Sequence, residues 1–312
     1  MTAKPRLGDV TICAADCLNP GLAARALACS ALECEFADSI LFTDAEVDGP
    51  FRRIPIPALG SREDYSRFVL RDLHRHVETP FALIVQWDGY VIDGGAWSDR
   101  FLDYDYIGAK WPWHESMRVG NGGFSLRSRR LLQIAAELPD PTETLNEDEI
   151  ICRFYRTMLE HEYRILFATE EIADQFSREH RGEDFPTFGF HGAFNMWRLV
   201  PEEELEDLIT RLDDRSIRDD ASVLCALACW THKRFKPFAI LYRRWRETMT
   251  VGEVRRLVEP FFGEGGATPA FLKAGEAIIK GRPTAKMRLG QMTSWARRLR
   301  TPLAALRGTP RP

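Results

Sequence analysis

Long apolar runs are absent from this sequence, and so are paired cysteine motifs. Nowhere does the chain contain an uncharged apolar stretch of the ~18 residues that a transmembrane helix needs. No signal peptide is predicted either, because Asp16 and a turn at residues 19–21 interrupt the amino-terminal segment. Seven cysteines, an odd number without a C-x-x-C pair, fit a reducing compartment and predict no disulfide. Together these absences predict a cytoplasmic protein.

An excess of charge of one sign is also missing. The chain has 42 basic and 46 acidic residues and a net charge of -4, so nucleic acid is not a predicted partner. One stretch departs from this balance, because residues 281–312 contain basic residues and no acidic one. Apolar residues interleave with these cations. The composition favours a flexible, solvated tail, and peripheral contact with an anionic inner membrane face is the alternative.

Short apolar runs alternate with helical patterns in the first third of the chain. The pattern predicts strand, helix, strand, helix and strand, in that order, over Val10–Ala15, Leu22–Leu32, Ser39–Phe42, Tyr65–Val77 and Phe81–Val85. The last of these strands is wholly apolar, as expected for a parallel strand buried on both faces. The alternation is typical of a Rossmann-like α/β sheet.

The remainder of the chain is less regular, and its composition changes after Pro201. Residues 86–124 are rich in Gly, Asp, Trp and Tyr without periodicity, which predicts loops over the sheet where a site would lie. Further helices are predicted at Leu131–Leu138, Asp148–Leu159, Glu202–Arg211, Ala221–Trp230 and Val251–Phe262, and a strand at Arg164–Ala168. We predict one α/β domain over residues 8–200, a helical extension over 201–280 and the basic tail.

A carboxylate follows the apolar strand directly, in the segment Gln86–Gly89. The carboxyl end of a parallel strand faces the crevice in which α/β folds bind ligands, and Gly89 lets the backbone turn there. Asp88 is therefore a candidate ligand of Mg²⁺ or Mn²⁺, which needs only one or two protein carboxylates beside substrate phosphates. The equally weighted alternative is that Asp88 caps a turn.

A glycine-rich segment, Val119–Arg129, precedes a predicted helix. Its adjacent Gly122 and Gly123 let backbone amides approach a ligand, and Arg127 lies near a helix start that favours anions. Sugar or phosphate recognition is one interpretation. A tight glycine turn before a basic, solvated helix face is the other.

Two further segments carry titratable side chains. The carboxylates of residues 147–149 stand at a helix start, where they either cap the helix or supply a general base. His191 lies between two glycines in an aromatic loop, where its ring could bind a metal or a diphosphate, although single histidines are more often structural. Cys225, Cys229 and His232 share a helical spacing, but their apolar surroundings favour core packing over a zinc site.

Five strings in this order resemble a bacterial family of domains of unknown function that is similar to GT-A-type glycosyltransferases. They are LIVQWDGY, WSDRFLDYDYIGAKWPW, VGNGGFSLRSRRLL, NEDEIICRFYR and FGFHGAFN, within about 10–197. The resemblance implies a nucleotide-sugar-binding α/β fold in which Asp88 holds the place of the metal-binding acidic motif. That motif here has Gln86 instead of a first acid.

The resemblance also implies roles for the other segments. Gly122 and Gly123 border the sugar, the pair Glu147 and Asp148 supplies the acceptor base, and His191 is a second ligand of the metal or the diphosphate. The expected site has two catalytic acids, two metal ligands and a donor-binding set. The donor-binding residues are Ala15, Asp16, Gln86, Asp88, Gly89, Asn121, Gly122, Gly123 and Arg127.

The resulting hypothesis is a metal-assisted, inverting glycosyltransferase that uses Mn²⁺ or Mg²⁺. It moves a sugar from a nucleoside-diphosphate donor to a hydroxyl of a cell-surface glycan or its lipid-linked precursor. Residues 12–16 line the nucleotide. The alternative is a catalytically idle module of the same fold that binds glycans or nucleotide sugars, since Gln86 replaces an acid. A nucleotidyltransferase is disfavoured, because no Lys-rich phosphate loop follows the first strand.

Overall fold

The computed structural model describes residues 4–141, 144–180, 186–262 and 266–281. The chain divides after Gly192 into two compact units, residues 1–192 and residues 193–312. The predicted domain bounds at 8–200, 201–280 and 281–312 stay predictions. Apart from its first residue, the basic tail lies outside the described residues, so both interpretations of it stay predictions.

A mixed sheet forms the centre of the first unit. Among the described residues it has six strands, in the order β3-β2-β1-β4-β6-β5. The first four of these run parallel, and β6 is antiparallel to both of its neighbours. A separate parallel pair is formed by β7 (Ser177–Arg178) and β8 (Gly189–Phe190). The strands of the main sheet are β1 (Arg6–Ala15), β2 (Glu35–Thr43), β3 (Arg52–Pro55), β4 (Phe81–Ile84), β5 (Tyr106–Ile107) and β6 (Ser125–Ser128).

Helices of the first unit begin where the sequence supplies capping groups. Pro20 opens the first helix, and the hydroxyls of Ser61, Ser128 and Thr169 each accept a hydrogen bond from a backbone amide of the helix that follows. A π-helical turn at Ile150–Phe154 continues the short fourth helix. The helices are α1 (Pro20–Glu33), α2 (Arg62–Arg71), α3 (Arg129–Glu137), α4 (Glu147–Glu149), α5 (Arg156–His161) and α6 (Glu170–Phe176).

Apolar side chains cover both faces of the sheet. On one face Leu27 of α1 packs in a cluster with Ile12 and Leu83. On the other face Phe68 of α2 packs with Phe42 and other buried residues of β1, β2 and β4. The central strands are therefore apolar on both sides, and the predicted α/β fold class is confirmed.

The direction of β6 decides what meets at one edge of the sheet. Strands β1 and β4 are neighbours and parallel, so the segments that follow Ala15 and Ile84 leave the sheet at the same edge. Because β6 is antiparallel to β4, its first residue, Ser125, pairs with Ile84 at that edge. The glycine-rich segment before β6 therefore lies beside the segment after β4, at the switch point where α/β sheets bind ligands.

The observed strands differ from the predicted ones at three places. Strand β6 was not predicted, because its sequence Ser-Leu-Arg-Ser is polar although all four residues are buried. Strand β3 is short, half-exposed and charged, and it was missed as well. The strand predicted at Arg164–Ala168 is wrong: Phe167 makes only an isolated bridge to Tyr106. Its partner strand has two residues, and Arg164 has a φ of 55°, which is incompatible with an extended chain.

The second unit is helical in its described residues. Predicted helices 202–211, 221–230 and 251–262 are confirmed, although the last ends in a 3₁₀ turn at Glu259–Phe261. The tenth helix was missed because Pro237 looks like a helix breaker, yet it stands in the first turn, where its N–H is not needed. The helices are α7 (Met196–Leu199), α8 (Glu202–Arg211), α9 (Asp220–Thr231), α10 (Phe235–Thr248), α11 (Val251–Val258) and α12 (Thr268–Ile279).

Aromatic side chains form much of this unit's core. Phe238, Tyr242 and Trp245 of α10 are fully buried, and Phe271 of α12 lies against all three rings. Gly275 of α12 lets the Tyr242 ring approach the helix backbone. Of the described residues, no helix combines the length and the apolar character needed to cross a membrane.

The Tyr242–Gly275 contact predicts how an alanine substitution in α12 changes the stability of the protein. A Cβ atom at position 275 would lie 2.3 Å from Cε2 of the buried Tyr242 ring, so Gly275→Ala should overpack the core and destabilise the protein by about 1–3 kcal/mol. Gly252→Ala in α11 is the matched control, because its Cβ would meet nothing closer than 3.9 Å. The control should be neutral or stabilising by up to ~1 kcal/mol. Urea unfolding of both variants measures this, and equal effects would contradict it.

Candidate active site

Side chains from distant parts of the chain meet at the edge of the sheet where β1 and β4 end. Asp16 follows β1, the segment Gln86–Gly89 follows β4, and Asn121–Gly123 precedes β6. Glu147 and Asp148 reach the same place from α4, and His191 reaches it from the end of β8. Most of the predicted site residues are therefore brought together.

Asp16 turns the chain from β1 into α1. Its carboxylate Oδ1 accepts hydrogen bonds from the backbone amides of Leu18, at 2.8 Å, and Asn19, at 2.6 Å. Ala15 and Asp16 are half-buried. The carboxylate thus fixes the loop, in the manner of an Asx turn, at the position where a nucleotide was predicted.

Gln86 and Gly89 close a tight turn after β4. Each backbone amide of this pair donates to the other residue's carbonyl at 3.0 Å. The turn holds Asp88 with only 4% of its surface exposed, and Asp88 Oδ1 lies 3.7 Å from Nε2 of His191. Oε1 of Gln86 lies 3.2 Å from the same nitrogen. Both interpretations of Asp88 are compatible with this geometry, since the residue lies in a turn and faces a second candidate ligand.

Glu179 holds the other side of the His191 ring. Its Oε1 lies 3.0 Å from Nδ1 of His191 and accepts a 2.8 Å hydrogen bond from Nδ2 of Asn121. Burial lowers the pKa of His191, but the nearby carboxylates of Asp88, Glu179 and Asp148 outweigh burial and raise the pKa to about 9.

Sequence reasoning missed Glu179. It lies within a charged stretch, Ser-Arg-Glu-His-Arg, that looks solvated. Its contact with His191 depends on the pairing of β7 with β8, which sets Arg178 beside Phe190 and so brings the two following residues together. The only sequence signal is that Glu179 and His191 follow their strands at the same offset.

The donor atoms around Nε2 of His191 fit an open divalent-cation site. They are one imidazole nitrogen, one carboxylate oxygen from Asp88 and one amide oxygen from Gln86. A carboxylate on the far ring nitrogen, as Glu179 provides, is the usual support of a metal-binding histidine. The described part of the chain has no group of three or more His, Cys, Asp or Glu side chains placed to hold a metal. Any cation here would therefore keep positions for phosphate oxygens or water.

The glycines of Asn121–Gly123 make room for side chains of the protein itself. A Cβ atom on Gly122 would lie 2.0 Å from Oε1 of Glu147, and one on Gly123 would lie 2.0 Å from Nε2 of His191. Asn121 adopts a φ of 58°, in the left-handed region that Asn tolerates. The loop thus packs directly between the acidic pair and the imidazole.

The acidic pair divides into a buried and a half-buried carboxylate. Glu147 is buried and accepts a 2.9 Å hydrogen bond from Nη2 of Arg127, whose side chain is 0% exposed. Burial, then the charge of Asp148, raises the pKa of Glu147 against the effect of Arg127. Asp148 is half-buried, and its Oδ2 accepts a 2.9 Å hydrogen bond from the Gly122 amide. Arg127, predicted to bind the donor, thus lies beneath the crevice and contacts Glu147.

Helix capping accounts for Glu149, the remaining carboxylate of this segment. Asn146 and Glu149 form a capping box at the start of α4.

In the second unit, Cys225 and Cys229 are buried in α9, and the His232 ring stacks on Trp197 with centroids 3.5 Å apart. Core packing is therefore the correct interpretation of the two thiols, whereas the His232 ring is exposed and covers Trp197.

Residues 49–191 match the family described as "Protein of unknown function (DUF5672)". This confirms the predicted resemblance to a family of unknown function. The matched segment contains the turn at Gln86–Gly89, the loop Asn121–Gly123, the acidic pair and His191. No curated protein matches the chain.

Two solved glycosyltransferase structures are similar to this chain. One is the mannosyltransferase PcManGT from Pyrobaculum calidifontis in complex with GDP-Man and Mn²⁺. It has 12% identity and a TM-score of 0.38 over 98% of this chain and 87% of that one. The other is the apo-form glycosyltransferase GlyE from Streptococcus pneumoniae TIGR4. It has 10% identity and a TM-score of 0.37 over 61% of this chain and 54% of that one.

The contact between Gly123 and His191 predicts the effect of an alanine substitution in the glycine loop. Gly123→Ala should push the His191 ring away from Gln86 and Glu179, because a Cβ atom at position 123 would overlap the ring. This overpacking should destabilise the protein by about 1–3 kcal/mol. Gly60→Ala is the control, since its Cβ would meet only Asp64 Oδ2 at an ordinary 3.6 Å. Urea unfolding with NMR of the His191 ring tests this. An unchanged His191 signal in Gly123→Ala would contradict the packing.

Proposed function

We propose that the protein is a glycosyltransferase that moves a sugar from a nucleoside-diphosphate donor to a hydroxyl of a glycan or its lipid-linked precursor. One observation carries the proposal: the loop Asn121–Gly123 contacts both halves of the expected machinery. Gly123 lies against His191, which faces Asp88, and the Gly122 amide binds Asp148. The residues proposed to bind the leaving group and the residue proposed as general base thus lie on either side of one loop, at the switch point of the sheet.

The leaving diphosphate would be bound on the His191 side of this loop. Asp88 and His191, with the Gln86 amide oxygen beside them, would hold Mn²⁺ or Mg²⁺, which when bound neutralises charge on the leaving group. Glu179 keeps the His191 ring turned toward Asp88. Residues Ala15 and Asp16, at the end of β1, would line the nucleoside, and Gly89 and Gly122–Gly123 would border the phosphates and the sugar.

Asp148 would act as the general base on the other side of the loop. Its carboxylate is half-buried, whereas Glu147 is buried and committed to Arg127. Of the pair, Asp148 is therefore the one that can meet an acceptor hydroxyl and take its proton during attack. Attack from the face opposite the leaving diphosphate inverts the anomeric carbon.

Nucleotide-sugar binding and turnover test the proposal together. The purified protein is mixed with a panel of nucleoside-diphosphate sugars, with and without Mn²⁺, and its midpoint of thermal unfolding is recorded. Release of nucleoside diphosphate is measured in the same samples, with and without simple glycoside acceptors. Metal-dependent binding with release supports the transferase. Binding without any release favours the catalytically idle module, and no binding by any donor contradicts both.

Asp148→Asn should lower turnover far more than donor affinity. The amide keeps the shape of the carboxylate but cannot accept the acceptor proton, and loss of a general base costs roughly 10²–10⁴ in rate. Glu149→Gln is the control, because that neighbouring carboxylate caps α4 and should leave kcat nearly unchanged. Steady-state kinetics decide this. An equal loss of donor affinity and turnover in Asp148→Asn would place the residue in the donor site instead.

Asp88→Asn should weaken Mn²⁺ binding and remove the metal response of donor binding. The amide is a neutral and poorer metal ligand in an otherwise unchanged turn, so the fold should persist. Asp99→Asn, which lies farther along the loop stretch 86–124 and accepts a hydrogen bond from Trp97 Nε1, is the matched control. Electron paramagnetic resonance of free Mn²⁺ measures the affinity of both variants. Unchanged affinity in Asp88→Asn would leave Asp88 as a turn residue only.

A further inference from the structure

A closed ring of contacts joins the candidate base to the glycine loop through the core. Gly122 donates its amide to Asp148, at 2.9 Å, and its carbonyl accepts from the Ser125 hydroxyl, at 3.1 Å. The Ser125 oxygen in turn accepts from Nε of Arg127, at 3.0 Å, and Arg127 Nη2 donates to Glu147, at 2.9 Å. Glu147 precedes Asp148 in the chain, which completes the ring.

The shape of the arginine side chain suits this position. Two different nitrogens of one planar guanidinium bind two different groups, Ser125 on β6 and Glu147 on α4, so the distance between strand and helix is set by a rigid fork. The guanidinium carbon lies 5.1 Å from the centre of the buried Tyr106 ring, which supports the plane from one side. A lysine would present its donors from a single nitrogen on a flexible stem, without this fixed fork.

Stability alone does not account for a charged pair at this depth. The Arg127 side chain is wholly buried, and its Nη1 has no hydrogen-bond partner among the described residues. A buried ion pair is often no more stabilising than an apolar pair of similar volume, and an unpaired buried N–H costs free energy. What the pair provides is a fixed position for the start of α4. Asp148 is on that first turn.

We propose that Arg127 is a positioning residue: it acts through Glu147 and Ser125 to hold the Asp148 carboxylate on the amide of Gly122. The kinetic consequence of this proposal rests on the proposed function, whereas the ring of contacts does not. Misplacing a reacting group by about 1 Å can cost ~10²-fold in rate. Loss of the ring should therefore lower kcat and leave donor binding, on the other side of the loop, largely intact.

Two variants open the ring in different ways. Ser125→Ala deletes the hydroxyl that joins the Gly122 carbonyl to Arg127. The double variant Arg127→Met with Glu147→Met removes both charges together, so neither is left buried without a partner and folding is preserved better than in a single variant. Ser128→Ala is the matched control. It removes a buried hydroxyl from the same strand, but one that bonds Asp105 and the Leu131 amide outside the ring.

The experiment combines amide hydrogen exchange at Gly122 with kinetics on the full-length protein. In Ser125→Ala and the double variant we expect the Gly122 amide to exchange at least ~10-fold faster, kcat to fall by ~10²-fold and donor KM to stay within about twofold. Ser128→Ala should lower the melting temperature without either effect.

Each outcome separates the ring from the transferase hypothesis. Unchanged Gly122 exchange in Ser125→Ala overturns the ring as a positioning device, whatever the activity. Fast exchange with full kcat in a folded double variant overturns the importance of this positioning by Arg127 for turnover. If the wild-type protein transfers no sugar, the proposed function fails, and the exchange rates alone then confirm or overturn the ring.

Discussion

The antiparallel insertion of β6 is the constraint on which the candidate site depends. If β6 ran parallel to β4, the loop before it would open at the opposite edge of the sheet, far from the turn after β4. Because Ser125 pairs with Ile84, the loop Asn121–Gly123 instead reaches the carboxyl ends of β1 and β4. Every contact of that loop with Asp148, Glu179 and His191 follows from this reversal. A four-residue strand thus decides which groups can act together.

Concentrated negative charge is the second feature of the site, and it explains the cationic groups around it. Buried carboxylates need a partner, since desolvation of an unpaired charge is costly. Glu147 is neutralised by Arg127, and Glu179 by contact with the His191 ring, whose pKa is raised accordingly. A divalent cation beside Asp88 would serve the same electrostatic purpose on the open side of the imidazole. In the proposed chemistry that cation would displace the Nε2 proton of His191 and take over its positive charge.

Much of this molecule could be predicted from sequence because its signals are local. Three of the four parallel strands, β1, β2 and β4, are recognisable as apolar runs. Asp88 and His191 stand out by their neighbours Gly89 and Gly192. Contacts made through tertiary structure have no such signal. Strand β6 is polar in sequence yet buried, because Arg127 bonds to Glu147 of α4 and to Ser125 within the strand. Gly122 and Gly123 look like open ligand cradles, and only the folded chain reveals the side chains that fill their missing Cβ positions.

The contact of Glu179 with His191 changes the interpretation of the Gln86 side-chain amide. By sequence, Gln86 in place of an acid suggests a weakened cation site and favours the idle module. Its Oε1 nevertheless lies 3.2 Å from Nε2 of His191, so an oxygen donor is retained without a further negative charge next to Asp88. Negative charge is supplied instead from behind the imidazole, where Glu179 bonds to Nδ1 and increases the basicity of Nε2. The proposed cation site would therefore draw negative charge directly from Asp88 and, through the His191 ring, from Glu179.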